Sequence, residues 1–259
     1  MVDVQTMGLD PPLSFMTAPP NVEDFAHTRF REPRNLPYKN APAYKASIYY
    51  WWWAFLKRNK AYHRVCRQNG RGRLAKIYRD FGNIYGVGFS DWWQNHQSIF
   101  AEQPSLIDPA YDSPPDDGLL YRIDPRKTLN QIQEEIREIH LRIHAIMPVE
   151  DRKPSSSAKY PIYANVSAHT LHKVLRVWDH RQQNPLLSAY DLGIAAGLKP
   201  NILPLPKHGE TRTRQALDVA AHNKRARISI SNQANRYLRT AAQYIDNVGL
   251  GVFPKAERR

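Results

Sequence analysis

Three consecutive tryptophans, Trp51-Trp52-Trp53, sit inside the run Tyr49-Tyr50-Trp51-Trp52-Trp53-Ala54-Phe55-Leu56. In an α-helix successive side chains point about 100° apart, so three adjacent indoles face most of the way round the axis. A helix that is apolar on several faces has to be surrounded. Protein must therefore wrap this segment. A bilayer cannot do so, because a spanning helix needs about 20 apolar residues and the run from Ile48 ends at Leu56.

The flanking residues predict how the wrapping is done. The tryptophan helix is expected to run to about Arg67, where Asn69, Gly70 and Gly72 break it. Leu74, Ile77, Tyr78 and Phe81 follow at i, i+3, i+4 and i+7, one stripe of a second helix that Gly82 ends. A third helix, capped by Ser90 or Asp91, carries Trp92, Trp93, Ile99 and Phe100. Helical spacing makes these rings a core; exposed rings would instead stack bases of a single strand. Basic side chains interleave with them, and Arg58, Arg67, Arg71 and Arg73 form a candidate patch on the outer face. The loop Gly70-Arg71-Gly72-Arg73 lacks P-loop spacing.

The run Tyr50-Trp51-Trp52-Trp53-Ala54-Phe55-Leu56-Lys57-Arg58-Asn59, with Tyr62, Leu74, Tyr78, Asp80-Phe81-Gly82 and Trp92-Trp93, resembles the N-terminal helical segment of regulator-like proteins from bacterial mobile elements. The resemblance covers about a quarter of the chain and implies a regulatory or accessory role, with no catalytic residues to carry over.

Prolines punctuate the rest. Seven of them before Ala43 mark residues 1–43 as an arm, disordered or draped, in which Phe15, Phe25 and Phe30 are the anchors a groove would take. The aromatic domain occupies 44–103, and 104–118 is a linker. A short strand over Leu119–Ile123 and a long helix fill 119–148, and 149–161 is a second linker. Thr128-Leu129-Asn130-Gln131 has the form of a capping box. The helix it starts carries Leu129, Ile132, Ile136, Ile139, Ile143 and Ile146 at intervals of 3, 4, 3, 4 and 3, a heptad seam suited to self-association or to a protein partner.

Residues 162–259 form the basic C-terminal domain. Ser167 caps a helix with Leu171, Val174, Leu175 and Trp178 on one face. Ser188 to Leu198 looks like the first helix of a helix-turn-helix, with Gly197 as its stop. A basic helix over Glu210 to Arg227 is expected next, as an insertion. A separate recognition helix is then expected to begin at Ser229-Ile230-Ser231 and to present polar first turns to a groove. Candidate nucleic-acid contacts are Lys207, Arg212, Arg214, Lys224, Arg225, Arg227, Ser231, Asn232, Gln233, Asn235, Arg236 and Arg239.

Charge points the same way. The 37 Lys and Arg against 24 Asp and Glu give +13, unevenly spread. Residues 51–100 hold 9 basic against 2 acidic side chains, and residues 151–259 hold 18 against 7; residues 101–150 reverse the balance, 5 against 10. Two basic regions around an acidic middle suit a polyanion, and the patterning lacks the basic amphipathic face of a membrane-surface helix. Cys66 is the one cysteine, which excludes an internal disulfide framework and agrees with a reducing, cytoplasmic setting; no secretory signal opens the chain.

Residue patterns that would carry chemistry are few. His140 and His144 are spaced as a ligand pair but lack a third partner, and His169 and His172 read as capping or solvated side chains. His222 to Arg225 with Tyr237 echoes the HxxR and tyrosine of tyrosine recombinases, but only twelve residues separate Arg225 from Tyr237. Asp116-Asp117 sits in a linker. No metal or cofactor is implied. The expected protein is mainly α and multi-helical, with a helix-turn-helix-like C-terminal domain and one or two short strands. Its expected function is non-catalytic binding of nucleic acid, double-stranded DNA first, as a transcriptional regulator or mobile-element accessory factor. A scaffold in a nucleoprotein assembly, or a single-stranded or RNA binder, are the alternatives.

Overall fold

The computed structural model describes residues 13–22, 26, 28, 30–32, 36–102, 124–146, 156–204 and 213–255. Its architecture is mainly α and multi-helical. The described residues hold α1 (Ile48–Leu56), α2 (Lys60–Arg67), α3 (Ala75–Phe81), α4 (Phe89–His96), α5 (Leu129–Ile146), α6 (Ala168–Gln183), α7 (Ala189–Ala195) and α8 (Arg214–Val248). Their β-structure is two isolated bridges, Ser14 to Glu102 and Ile162 to Phe253. The strand expected at Leu119–Ile123 lies outside the described residues. Two compact units are present: Phe15–Ala101 with Ala158–Arg259, and Met1–Ser14 with Glu102–Ser157.

In the larger unit α1 is enclosed, as its tryptophans require. Trp52 is fully buried and its ring meets Phe81, Phe100, Tyr160 and Phe253. Phe55 packs on Tyr244 of α8, Trp51 on His172 of α6, and Trp53 on Phe89 of α4. Phe15 of the N-terminal arm is buried against Tyr49 and Trp93. The arm is thus draped at Phe15, and Phe30 also packs on the core, while Phe25 lies outside the described residues. The indole N–H groups of Trp52, Trp53 and Trp93 are buried without an acceptor among the described residues. Each such group costs ~1–3 kcal/mol. Burying ~200 Å² of indole returns roughly 5 kcal/mol, so packing wins.

Because α1 needs cover on all sides, the aromatic and basic segments, separate domains by the sequence reading, fold as one unit. The helix expected to continue to Arg67 also breaks. Asn59 accepts the Tyr62 N–H as the N-cap of α2 and donates its amide to the Ile245 carbonyl at 2.7 Å. One buried side chain thereby starts α2 and ties it to α8, while α1 stops at Leu56. Other signals hold. Gly82 closes α3 at φ 65°, and Ser167 and Ser188 cap α6 and α7 by accepting the Thr170 and Asp191 N–H groups. Gly197, at φ 84°, ends α7 in a Schellman motif: Leu198 N–H donates to Gly193 O and Gly197 N–H to Ile194 O.

The smaller unit contains α5. Its capping box forms as the sequence predicts: Thr128 N–H donates to Gln131 Oε1 at 2.9 Å and Gln131 N–H to Thr128 Oγ1 at 3.4 Å. Glu135 pairs with Lys127, and Arg142 with Glu138.

His172, expected to be capping or solvated, is instead wedged between the rings of Tyr38 and Trp51. Burial, with Arg176 and other nearby cations, lowers its pKa from 6.5 to about 4. The unfolded chain takes up this proton as pH falls below 6.5, whereas the folded chain does so only near 4. Stability should therefore drop across pH 6.5 to 4 and then lose this dependence. Thermal melts of His172→Gln should show a shallower decline over that window than the parent; parallel curves would contradict the assignment.

Candidate nucleic-acid interface

The candidate contacts on described residues gather on one helix, α8, whose two faces are built from two series of residues. Ile230, Ala234, Tyr237, Ala241, Tyr244 and Val248 recur at intervals of 4, 3, 4, 3 and 4, and all are buried. Ala216 and Asn223 extend that buried face toward the N-terminus at intervals of seven. Because the series does not pause near Ser231, the helix does not pause either. No recognition helix begins there: α8 starts at Arg214, capped by Thr213, and runs 35 residues. Ser231 is half-buried in mid-helix, and its hydroxyl donates back to the Arg227 carbonyl at 3.0 Å instead of capping free N–H groups.

α7 packs on the buried face of α8 through Gly193, which sits against the Ile230 side chain. A Cβ on Gly193 would stand 2.5 Å from Ile230 Cγ2, so only glycine fits. Beyond α7, the loop is pinned to the buried side of α8. Asn223 accepts the Leu203 N–H at 2.8 Å and donates to the Leu203 carbonyl at 3.0 Å, and His222 bonds to the Asn201 carbonyl.

On the opposite side runs the second series. Arg225, Ser229, Asn232, Arg236 and Arg239, at intervals of 4, 3, 4 and 3, line a shallow depression with Ile228 and Gln233. Asn232 lies two residues from Ile230, about 200° round the helix from the buried face. The strip from Arg225 to Arg239 is about 21 Å long. Between Asp218 and Asp246 the helix has no acidic residue. Arg225, Arg236 and Arg239 are exposed and make no ion pair among the described residues. The Arg236 guanidinium lies over the neighbouring Tyr237 ring.

The other expected contacts divide. Arg214 is exposed at the start of α8, and Lys224 and Asn235 are exposed beside the strip without lining it. Arg227 is also exposed, but its guanidinium sits over Tyr190 of α7 at 5.5 Å from the ring centroid, away from the strip. Gln233 is half-buried and donates to Tyr237 Oη. Lys207 and Arg212 lie outside the described residues. Tyr237 is on the buried face and Arg225 on the exposed one, so those two do not share a recombinase-like site.

Of the secondary patch, Arg67 and Arg71 are exposed, and Arg58 is engaged. Its guanidinium grips Asp179 of α6 through two bonds of 3.1 and 2.7 Å and also donates to the Ala54 carbonyl. Arg73 lines a groove with Lys60, Trp178, Gln182, Ala242 and Asp246. Ala242 is one turn beyond Arg239, so the strip runs into this groove. Lys60 is one cation among many in the sequence, and the i+7 place of Trp178 at the end of the α6 stripe hides that its ring is only partly covered.

Among the described residues no three His, Cys, Asp or Glu side chains come together to hold a metal ion, and no helix is long and apolar enough to cross a membrane. Compared with known proteins, the chain matches no family model, no curated protein and no solved structure.

Arginines that only wait for a ligand should be dispensable to folding. Arg225→Ala, Arg236→Ala and Arg239→Ala should each melt within about 0.5 kcal/mol of the parent. Arg58→Ala, which leaves Asp179 without its fork, should lose about 1 kcal/mol in this partly exposed setting. Thermal denaturation separates the two classes, and an equal loss in all four would mean that the strip is structural.

Proposed function

We propose that this protein binds double-stranded DNA, without catalysis, through the exposed strip of α8, and serves as a transcriptional regulator or as an accessory factor of a mobile element. The observation that carries the reading is the acid-free strip of three unpaired arginines interleaved with Ser229 and Asn232. Folding accounts for the inner face of α8 through its buried side chains; among the described residues no packing contact calls for arginine at 225 or 239, and Arg236 lies over the Tyr237 ring with its side chain exposed.

The mode of binding follows from the helix being continuous. The DNA major groove is ~12 Å wide and admits an α-helix. A mid-helix segment lies along the groove as continuous basic helices do, and does not enter it end-on. Arg225 and Arg239, at the two ends of the strip, meet phosphates on the groove walls. Asn232 and Arg236, between them, reach base edges, asparagine matching adenine and arginine matching guanine. Arg73 and Lys60 add backbone contacts where the strip meets their groove. Burial of Trp51, Trp52, Trp53, Trp92 and Trp93 counts against stacking of single strands on the aromatic segment.

A gel shift titrated with salt, using duplex DNA, single-stranded DNA and RNA of one sequence, tests the proposal. Duplex should bind most tightly and with a steep negative salt slope. Arg236→Ala should cost ~1–3 kcal/mol on a preferred sequence and relax one base position, whereas Arg214→Ala should weaken all sequences alike and flatten the slope by about one. No binding at low salt would overturn the proposal in favour of a scaffold that contacts protein. A uniform loss in Arg236→Ala would leave α8 a clamp on phosphates with no reading role.

A further inference from the structure

The apolar seam of α5 lies in the unit that does not contain α8, and it has a symmetry the DNA reading leaves unused. Leu129 is 68% exposed and Ile136 47%, while Ile132, Ile139 and Ile143 are half-covered. The intervals 3, 4, 3, 4, 3 read the same in both directions along the chain. A two-fold axis perpendicular to α5, between positions 136 and 139, therefore lays the series onto itself: 129 on 146, 132 on 143, 136 on 139.

The flanking charges decide between a reversed and a same-direction partner. With positions 129, 136 and 143 as a and 132, 139 and 146 as d, Glu135 and Arg142 occupy successive g positions, and Gln133 and His140 successive e positions. Reversed helices bring g beside g and e beside e. Glu135 then faces the partner's Arg142, twice by symmetry, and Gln133 faces the partner's His140. Helices running the same way pair g with the following e, which sets Glu135 against His140 and gives Arg142 no e position within α5. The reversed arrangement uses both charges and the parallel one only Glu135.

We propose that α5 docks on α5 of a second copy of this chain as an antiparallel two-helix coil, with Glu135 and Arg142 paired across the interface. Within one chain Glu135 pairs with Lys127, and Arg142 with Glu138 at 3.2 Å through side chains that are 79% and 60% exposed. Solvated pairs of this kind contribute little and exchange partners readily. About two and a half heptads make a short coil, so association should be reversible and concentration-dependent.

The test is sedimentation equilibrium of the full-length chain over a wide concentration range, with Glu135→Arg, Arg142→Glu and the double variant. The parent should pass from the mass of one chain to that of two. Each single change creates like charges twice across the interface and should weaken dimerisation about tenfold. The double variant should return to within about threefold of the parent. Rescue can arise only between chains, because the double variant loses both intrachain pairs: the guanidinium introduced at position 135 would face Lys127, and the carboxylate introduced at position 142 would face Glu138. A parent that stays at the mass of one chain overturns the proposal, as does a double variant no better than the singles.

Discussion

The rest of the larger unit depends on one requirement, that α1 be covered on every side. A helix with three adjacent indoles can hide one face against a neighbour, but the others need neighbours too. The chain meets this with pieces from far apart in sequence: Phe15 from the arm, Phe89 and Trp93 from α4, His172 from α6, Tyr244 and Phe253 from the C-terminal end. Three indole N–H groups lose their acceptors in the process. The aromatic contacts outweigh that loss, and they join the aromatic and basic segments in one compact unit.

Enclosing α1 also decides how α8 is turned. Once Tyr244 and Ile245 are committed to the core and Asn59 holds the Ile245 carbonyl, the rotation of α8 about its axis is set. Gly193 of α7 then packs on the Ile230 side chain, which leaves no room for a Cβ, and Asn223 holds Leu203 a further two turns back. Every one of these contacts uses the same side of the helix. The side left over carries Arg225, Ser229, Asn232, Arg236 and Arg239, so the charged strip is presented as a consequence of the core and on a rigid support. A rigid support matters for reading bases, because base-edge contacts tolerate little positional error.

Much of this was legible in the chain. Capping residues acted where they stood: Thr128 with Gln131, Ser167, Ser188, and Gly197 as the stop of α7. The stripe Leu74, Ile77, Tyr78, Phe81 became α3, and burial of the tryptophans followed from their adjacency alone. What escaped was set by distant partners. Asn59 reads as an ordinary polar residue within an apolar helix until Ile245 supplies its second bond. Ser229-Ile230-Ser231 looks like a helix start because short polar residues favour caps, yet Ile230 sits on a seam running unbroken to Val248, and tertiary burial overrides the local preference. The groove lined by Lys60, Arg73 and Trp178 joins three segments and has no signature in any one of them.

Arginine footprinting tests most directly the proposed contact of nucleic acid with the side of α8 opposite its core. The full-length protein is treated with phenylglyoxal with and without saturating duplex DNA, and modified arginines are mapped by mass spectrometry. DNA should protect Arg225, Arg236 and Arg239, while the exposed Arg79 of α3 and Arg176 of α6 react as before. Protection of Arg79 and Arg176 with continued reaction at Arg225, Arg236 and Arg239 would contradict it.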